Sequence, residues 1–362
     1  MYTPKYTITT EILKNIGQVE AAREVIDNAP LVPALEIKFR DEARLRAVHY
    51  GTALEGNDLS LGEAKLILER EVETPHEALS EGIVGRERDV QEVINYRSVL
   101  EYIEGNGTQA EYSKEILMSI HRMVVDKLVP VEQAGNYRRV QVVLRNSVTG
   151  EVGFRPPLFT EVPYLMDDLF RYINSEYGRR EHPVLRAGVV HYVIAAVHPF
   201  TEGNGRTARV FATLILHREG YDVRRFVALE EYFDRHAEDY FGALMEVSNQ
   251  TVRLEDRDLT PWLLVFTKAL AEELAKIKIK VRELSVDIKM KERAGKQVAL
   301  SERQMKLVEY LNSNGEISMG EARKILSMVS EDTILREFKY LLSGGVVIKR
   351  GSTKAARYLL KK

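Results

Sequence analysis

Twelve consecutive residues, His198-Pro199-Phe200-Thr201-Glu202-Gly203-Asn204-Gly205-Arg206-Thr207-Ala208-Arg209, gather a base, a carboxylate, a Gly-Asn-Gly turn and two guanidinium groups. His198 is the one group here whose ordinary pKa suits it to take a proton near neutral pH. Glu202 can hold a divalent cation that bridges phosphate oxygens. Gly203 and Gly205 carry no side chain to keep a phosphate away from the backbone. Arg206 and Arg209 are three apart, so on a helix both can reach one polyphosphate. An apolar run, Val189–Val197, reads as a buried helix ending before His198, and a second, Val210–Leu216, continues a helix that starts near Asn204. The Gly-rich turn then lies at a helix N-terminus, where free N–H groups and the dipole favour an anion. These are the parts of a phosphoryl- or nucleotidyl-transfer site.

The string resembles the signature of the Fic family, His-Pro-Phe-x-Asp/Glu-Gly-Asn-Gly-Arg-x-x-Arg, and fits it at each defined position. The resemblance implies a mainly α fold with a Fic-type helical core and a β-hairpin flap. It implies AMP transfer from ATP, with Mg2+, to a protein hydroxyl. In that scheme His198 is the general base and Glu202 the magnesium ligand. Asn204 and the amides of Gly203 and Gly205 hold the α-phosphate, and Arg206 and Arg209 hold the outer phosphates. Phe200 anchors the loop. Tyr240 and Phe241 match the family's paired aromatics near the adenine, although helical spacing also suits plain core packing.

The elements that must position this loop are mostly helical. Helices are expected over Ala43–Ala53, Leu61–Glu71, Val84–Ile103, Ser113–Leu128, Val162–Glu176, Val184–Val197, Gly205–Glu219, Tyr232–Ser248 and Pro261–Ala294. Strands are expected over Arg139–Leu144 and Glu151–Phe154, around the turn Asn146–Gly150. Two strands alone are marginally stable. Following Gly135-Asn136-Tyr137-Arg138 and preceding Pro156-Pro157, this hairpin resembles the family's flap, which implies a protein substrate docked along residues 138–155 by strand addition. A structural hairpin covering the bundle edge is the other reading. His121, His182 and His191 read as hydrogen-bonded structural histidines, and no pair has a metal-site spacing.

Upstream, Tyr50-Gly51-Thr52-Ala53-Leu54-Glu55-Gly56-Asn57 resembles the built-in inhibitor of some family members, Ser/Thr-x-x-x-Glu-Gly/Asn. That resemblance implies a pair between Glu55 and Arg209 that blocks the γ-phosphate position. Gly51 stands where the Ser/Thr is expected, and a glycine there should weaken the helix and the packing of the inhibitory element.

Residues 256–298 read as a charge-laced linker helix, following an N-terminal helical region (1–105) and the Fic core (106–255). From 299 to 362 the pattern becomes three short helices and a hairpin, which resembles a winged helix-turn-helix. From Ser301 there are twelve Lys/Arg and seven Asp/Glu, a balance of +5. Thr333, Arg336, Lys339, Lys349, Arg350 and Lys354 could contact DNA. Docking of a protein is the alternative, since Glu331 and Asp332 open the would-be recognition helix.

The length of 362 residues suits two or three domains, and a net charge of −2 gives the whole chain no sign of nucleic-acid or membrane binding. The absence of cysteine excludes disulfides, Cys-zinc sites and thiol catalysis. No apolar run approaches the ~20 residues that span a bilayer, and a cytoplasmic location is expected. The expected function is autoinhibited AMP transfer to a Tyr, Ser or Thr hydroxyl, self-modification included. The alternatives are phosphoryl transfer or AMP removal on the same loop, or a nucleotide-sensing DNA-binding regulator. Target, base preference and the presence of a homo-oligomer stay open.

Overall fold

The computed structural model describes residues 2–105, 111–145, 152–293, 300–327, 329–351 and 356–361. They divide into two compact units, one of residues 1–28 with 39–280 and one of residues 29–38 with 281–362. No described helix is long and apolar enough to cross a membrane.

The first unit is helical. Its elements are α1 (Thr10–Asp27), the Phe39–Ala53 part of α2 (Pro33–Ala53), α3 (Leu61–Glu69), α4 (Pro75–Ser80), α5 (Glu87–Gly105) and α6 (Lys114–Val124). After a two-stranded antiparallel ribbon, β1 (Leu144–Arg145) and β2 (Val152–Phe154), come α7 (Val162–Asn174), α8 (Glu176–Arg180), α9 (Pro183–Val197) and α10 (Asn204–Arg218). The last are α11 (Leu229–Arg235), α12 (Ala237–Ser248) and the first part of α13 (Thr260–Arg293). Side-chain caps set several starts. Ser60 and Glu63 form a reciprocal capping box, and Thr9 and Ser113 cap α1 and α6.

Almost every residue of α9 from Val184 to Val197 is buried, so it reads as apolar all round rather than amphipathic. Around it pack α7, α10 and α12, and α10 also lies against α5 and α6. In α5 the run from Asp89 to Tyr96 is buried throughout, carboxylates included. Such charges must find partners.

Three expectations need correction. The flap strand expected from Arg139 is shorter: β1 is Leu144–Arg145, because side chains claim the neighbouring backbone. Arg138 donates to the carbonyls of Val140 and Pro157, and Gln141 donates to that of Pro156 and accepts from the N–H of Phe159. The turn Asn146–Gly150 lies outside the described residues. The helix expected over Tyr232–Ser248 breaks at His236 (φ −123°, ψ 42°), whose ring stacks on Tyr232 and bonds its carbonyl at 2.9 Å. The linker helix is a linker only in part. Trp262, Leu263, Phe266, Leu270 and Leu274 are buried in the first unit, and Trp262 Nε1 donates to Gly188 O at 2.7 Å. Apolar residues recurring every three to four positions bury one stripe of α13, however charged its other faces are. The sequence pattern gives no helix signal for α1, because its apolar positions Ile12, Val19, Ala22 and Ile26 are sparse among polar ones.

The second unit contains α14 (Glu302–Asn314), β3 (Glu316–Ser318), α15 (Met319–Ile325), α16 (Glu331–Ser343), β4 (Val347–Arg350) and β5 (Arg357–Leu360). Its sheet has the order β3-β5-β4, all antiparallel. Leu307, Leu311, Ile317, Ile334, Phe338, Leu341 and Tyr358 fill a core of their own, with Phe338 stacked on Tyr358 at 3.8 Å. Lys354 lies outside the described residues.

Candidate active site

The loop from His198 to Gly203 is pinned at both ends by left-handed backbone. His198, at φ 52° and ψ 59°, ends α9, and Gly203, at φ 72°, opens α10. A non-glycine residue held in that region is strained and persists only where its surroundings over-determine it. Those surroundings are specific. The N–H of His198 continues the helix to Ile194 O, and its carbonyl accepts from Arg138 Nε at 2.8 Å. The N–H of Arg138 in turn donates to Pro199 O. Phe200 is fully buried and lies face to face on His121, with ring centroids 3.6 Å apart. Asn204 closes the turn on itself. Its Oδ1 accepts from Phe200 N at 2.8 Å and its Nδ2 donates to Phe200 O at 2.9 Å. The Asn204 amide therefore clamps the loop, and its second N–H is left over for the phosphate contact expected of it.

His121 ties the loop to the flap base. Its Nδ1 accepts from Gly135 N and its Nε2 donates to Glu202 O. Burial pushes its pKa down to about 4, so it is a neutral strut. His182 caps α9. His191 Nε2 shares a hydrogen bond with Tyr240 Oη at 3.2 Å in an aromatic cluster with Trp262.

Nδ1 of the half-buried His198 faces the carbonyl of Ala195 at 3.3 Å. A carbonyl can only accept, so Nδ1 carries the proton and Nε2 is the basic nitrogen. Burial is the main cause of a pKa lowered to about 4, although Glu55 works the other way. The ring is a neutral base across the physiological range.

Two buried guanidinium groups line the start of α10. Arg209 donates from Nη2 to Glu55 Oε1 at 2.9 Å and to Gly51 O at 2.8 Å. Arg206 lies 3.4 Å from Glu92 Oε1 and 3.6 Å from Glu202 Oε1. In both arginines Nε and Nη1 are buried without a hydrogen-bond partner. Buried donors of this kind are rare and costly, and an anion bound beside them would satisfy them. A Cβ at Gly205 would collide with the Glu55 carboxylate, and one at Gly203 would come within 2.6 Å of Val125. A side chain at either position would have to displace these neighbours.

Glu55 follows the last turn of α2, and Gly56 at φ 91° ends the turn. Burial pushes the Glu55 pKa up, but Arg209 and Arg206 outweigh it and hold the carboxyl below its ordinary range. Gly51 does not loosen this element as the sequence suggests. A Cβ there would sit 2.8 Å from the Tyr96 ring, so the glycine admits that ring and leaves its own carbonyl to Arg209. Tyr96 Oη then donates to Glu230 at 3.0 Å.

Of the expected adenine pair, the Tyr240 ring is buried among Phe233, His191 and Trp262, whereas Phe241 is 46% exposed. Only Phe241 has a face open to a ligand. Glu202 pairs with Arg88 as well as facing Arg206. No group of three or more potential metal-ligating side chains occurs among the described residues. A single carboxylate beside anion-seeking arginines is what magnesium uses when phosphate oxygens complete its shell. Sequence reasoning missed the roles of Arg88, Glu92 and Arg138. The available signal was Arg88 four residues before Glu92 on the polar start of α5.

Residues 111–216 match the Fic/DOC family. Protein adenylyltransferase fic-1 of Caenorhabditis elegans is 30% identical over 281 residues, covering 68% of this chain and 51% of that protein. Protein adenylyltransferase Fic of Drosophila erecta is 26% identical over 219 residues, 59% of this chain and 41% of that one. The chain thus spans about half the length of the curated relatives it matches. Among solved structures, a Fic family protein from Desulfovibrio desulfuricans G20 superposes with TM-score 0.66 at 23% identity, covering 99% of this chain and 98% of that one. Fic-1 of C. elegans does so with TM-score 0.57 at 24% identity, covering 77% and 73%.

Proposed function

The chain belongs to the Fic/DOC family through residues 111–216, and from that premise we propose that it transfers AMP from ATP to a hydroxyl side chain of a protein. The observation that carries this reading is that the buried guanidinium groups of Arg206 and Arg209, whose Nε atoms have no hydrogen-bond partner, and the basic ring of His198 all act on the one carboxylate of Glu55. They support a bound polyphosphate with its α-phosphorus near a base. The target oxygen attacks that phosphorus and forms a new P–O bond, while the hydroxyl proton passes to His198 Nε2. The bond from the α-phosphorus to the oxygen bridging to the β-phosphorus breaks, and pyrophosphate leaves. The amides of Gly203 and Gly205 and the two guanidinium groups hold the phosphates, and Phe241 offers a face to the base. When bound, magnesium supplies charge neutralisation at the leaving phosphates, held by Glu202. Glu55 restrains the reaction by occupying Arg209. The target docks along residues 138–155, where Val140 and Val143 are exposed, with exposed Leu158 and Phe159 just beyond. The test is transfer of label from α-labelled ATP to protein. Transfer that vanishes in His198→Ala supports the proposal, and label carried only by γ-labelled ATP overturns it.

For the second unit the reading is a winged helix that binds duplex DNA. Arg336, Lys339, Lys349 and Arg350 are exposed, while Glu331 is offset by Arg323 and Glu337 by Arg303. These exposed cations would supply the phosphate contacts. Salt-sensitive retention of duplex DNA by the full chain tests it.

A further inference from the structure

The turn carrying Glu55 and the first turns of α5 are stapled together. Asn57 Nδ2 donates to Asp89 O and to Glu92 Oε2, both at 3.0 Å. Arg86 donates to Gly56 O at 3.0 Å and pairs with Asp58 and Asp89. This one block reaches the nucleotide site at three points. Glu55 meets Arg209, Glu92 meets Arg206, and Arg88 meets Glu202. Arg88 is itself steadied by Glu92, at 3.3 Å four residues on.

The signs at these three points have a chemical pattern. Two carboxylates lie against the two arginines proposed to hold phosphates, and one guanidinium lies against the carboxylate proposed to hold magnesium. We infer that the block is an internal counterfeit of a magnesium–polyphosphate, and that Arg88 is a positioning residue that competes with the divalent cation for Glu202. The inference rests on the AMP-transfer reading and adds to it a second, cation-directed restraint. Glu55 controls whether the outer phosphates fit. Arg88 controls how much magnesium the site needs. Removing Glu55 alone leaves the second restraint in place, since the Arg88–Glu202 pair shares no atom with Glu55. Half of the Arg88 side chain is exposed and Glu202 is 34% exposed, so solvent screens their attraction and the effect is modest. An exposed pair of this kind shifts an equilibrium about two- to fivefold.

The experiment measures Mn2+ binding, by its electron-spin resonance signal, in the presence of an ATP analogue whose α,β linkage cannot be cleaved. The proteins are wild type, Arg88→Ala, Arg88→Lys and Glu202→Ala, all full chain, with folding checked by circular dichroism. Arg88→Ala should bind Mn2+ about two- to fivefold more tightly than wild type, with metal-free affinity for the analogue unchanged. Arg88→Lys, which keeps a cation within reach, should stay near wild type. A purely structural role for Arg88 would move neither Mn2+ affinity selectively nor its rescue by lysine. If Glu202→Ala loses Mn2+ binding while Arg88→Ala matches wild type or binds more weakly, the competition is refuted and the reading of Glu202 survives. If Glu202→Ala binds Mn2+ as tightly as wild type, the metal role of Glu202 is refuted and the competition with it.

Discussion

Replacing Glu55 with glycine should accelerate AMP transfer by roughly ten- to a hundredfold. The working contact is Arg209 Nη2 to Glu55 Oε1 at 2.9 Å. Arg209 is 2% exposed, so little solvent screens the pair from its side. A charge-assisted hydrogen bond contributes about 1.5–3 kcal/mol, and about 1.4 kcal/mol corresponds to a factor of ten. Asn57 and Arg86 anchor the Glu55 turn to α5, and Arg209 also bonds Gly51 O. A well-anchored restraint is occupied most of the time, which argues for the upper part of that range despite Gly51. Arg206 and Arg209 hold the Glu55 pKa below its ordinary range against the effect of burial. The carboxylate restraint is therefore complete above ordinary carboxyl pKa values and is lost only as pH falls through the depressed one. The assay compares label transfer from α-labelled ATP by wild type, Glu55→Gly, Glu55→Gln and Glu55→Gly/His198→Ala. Glutamine keeps the shape without the charge and should fall between wild type and glycine. Equal rates for wild type and Glu55→Gly would refute the restraint. Activity persisting in the double variant would mean that His198 is not the base.

Other outcomes follow from the same contacts. Gly51→Ala drives a Cβ into the Tyr96 ring; it should cost about 1–3 kcal/mol of stability, lowering the melting temperature while displacing the end of α2 and raising the transfer rate. Asn204→Ala leaves the buried N–H and C=O of Phe200 unpaired, about 1–3 kcal/mol for each, which thermal denaturation should register together with a fall in kcat. His121, His191 and His198 titrate near 4, 3 and 4 in the fold, against about 6.5 when unfolded. The unfolded chain thus binds more protons as pH falls below about 6.5, and stability should drop on acidification; melting curves at several pH values check this, and His191→Gln should lessen the slope. Arg336→Glu with Lys349→Glu should abolish any retention of duplex DNA by the full chain at low salt.

The chemistry-bearing loop was legible because its parts are adjacent in sequence. A base, a carboxylate, two glycines and two arginines within one turn and one helix start need only local geometry to converge. Helical class was legible for the same reason, since apolar spacing reports which face of a segment is buried. Spacing does not report what that face meets. The Arg88–Glu202 and Glu92–Arg206 pairs join residues 114 positions apart, and the Glu55–Arg209 pair joins residues 154 apart. Of these only the Glu55–Arg209 pair was visible beforehand, through resemblance rather than through pattern. Tertiary packing decided that Asn204 clamps its own loop, that Tyr240 belongs to the core and Phe241 to the surface, and that Gly51 makes room for Tyr96. It also decided that the first part of α13 belongs to the first unit. Each outcome depends on volume and on hydrogen-bond partners brought from distant segments. A one-dimensional pattern encodes polarity at each position, but the partner that satisfies a buried carboxylate or fills the space beside a glycine exists only once the helices have packed.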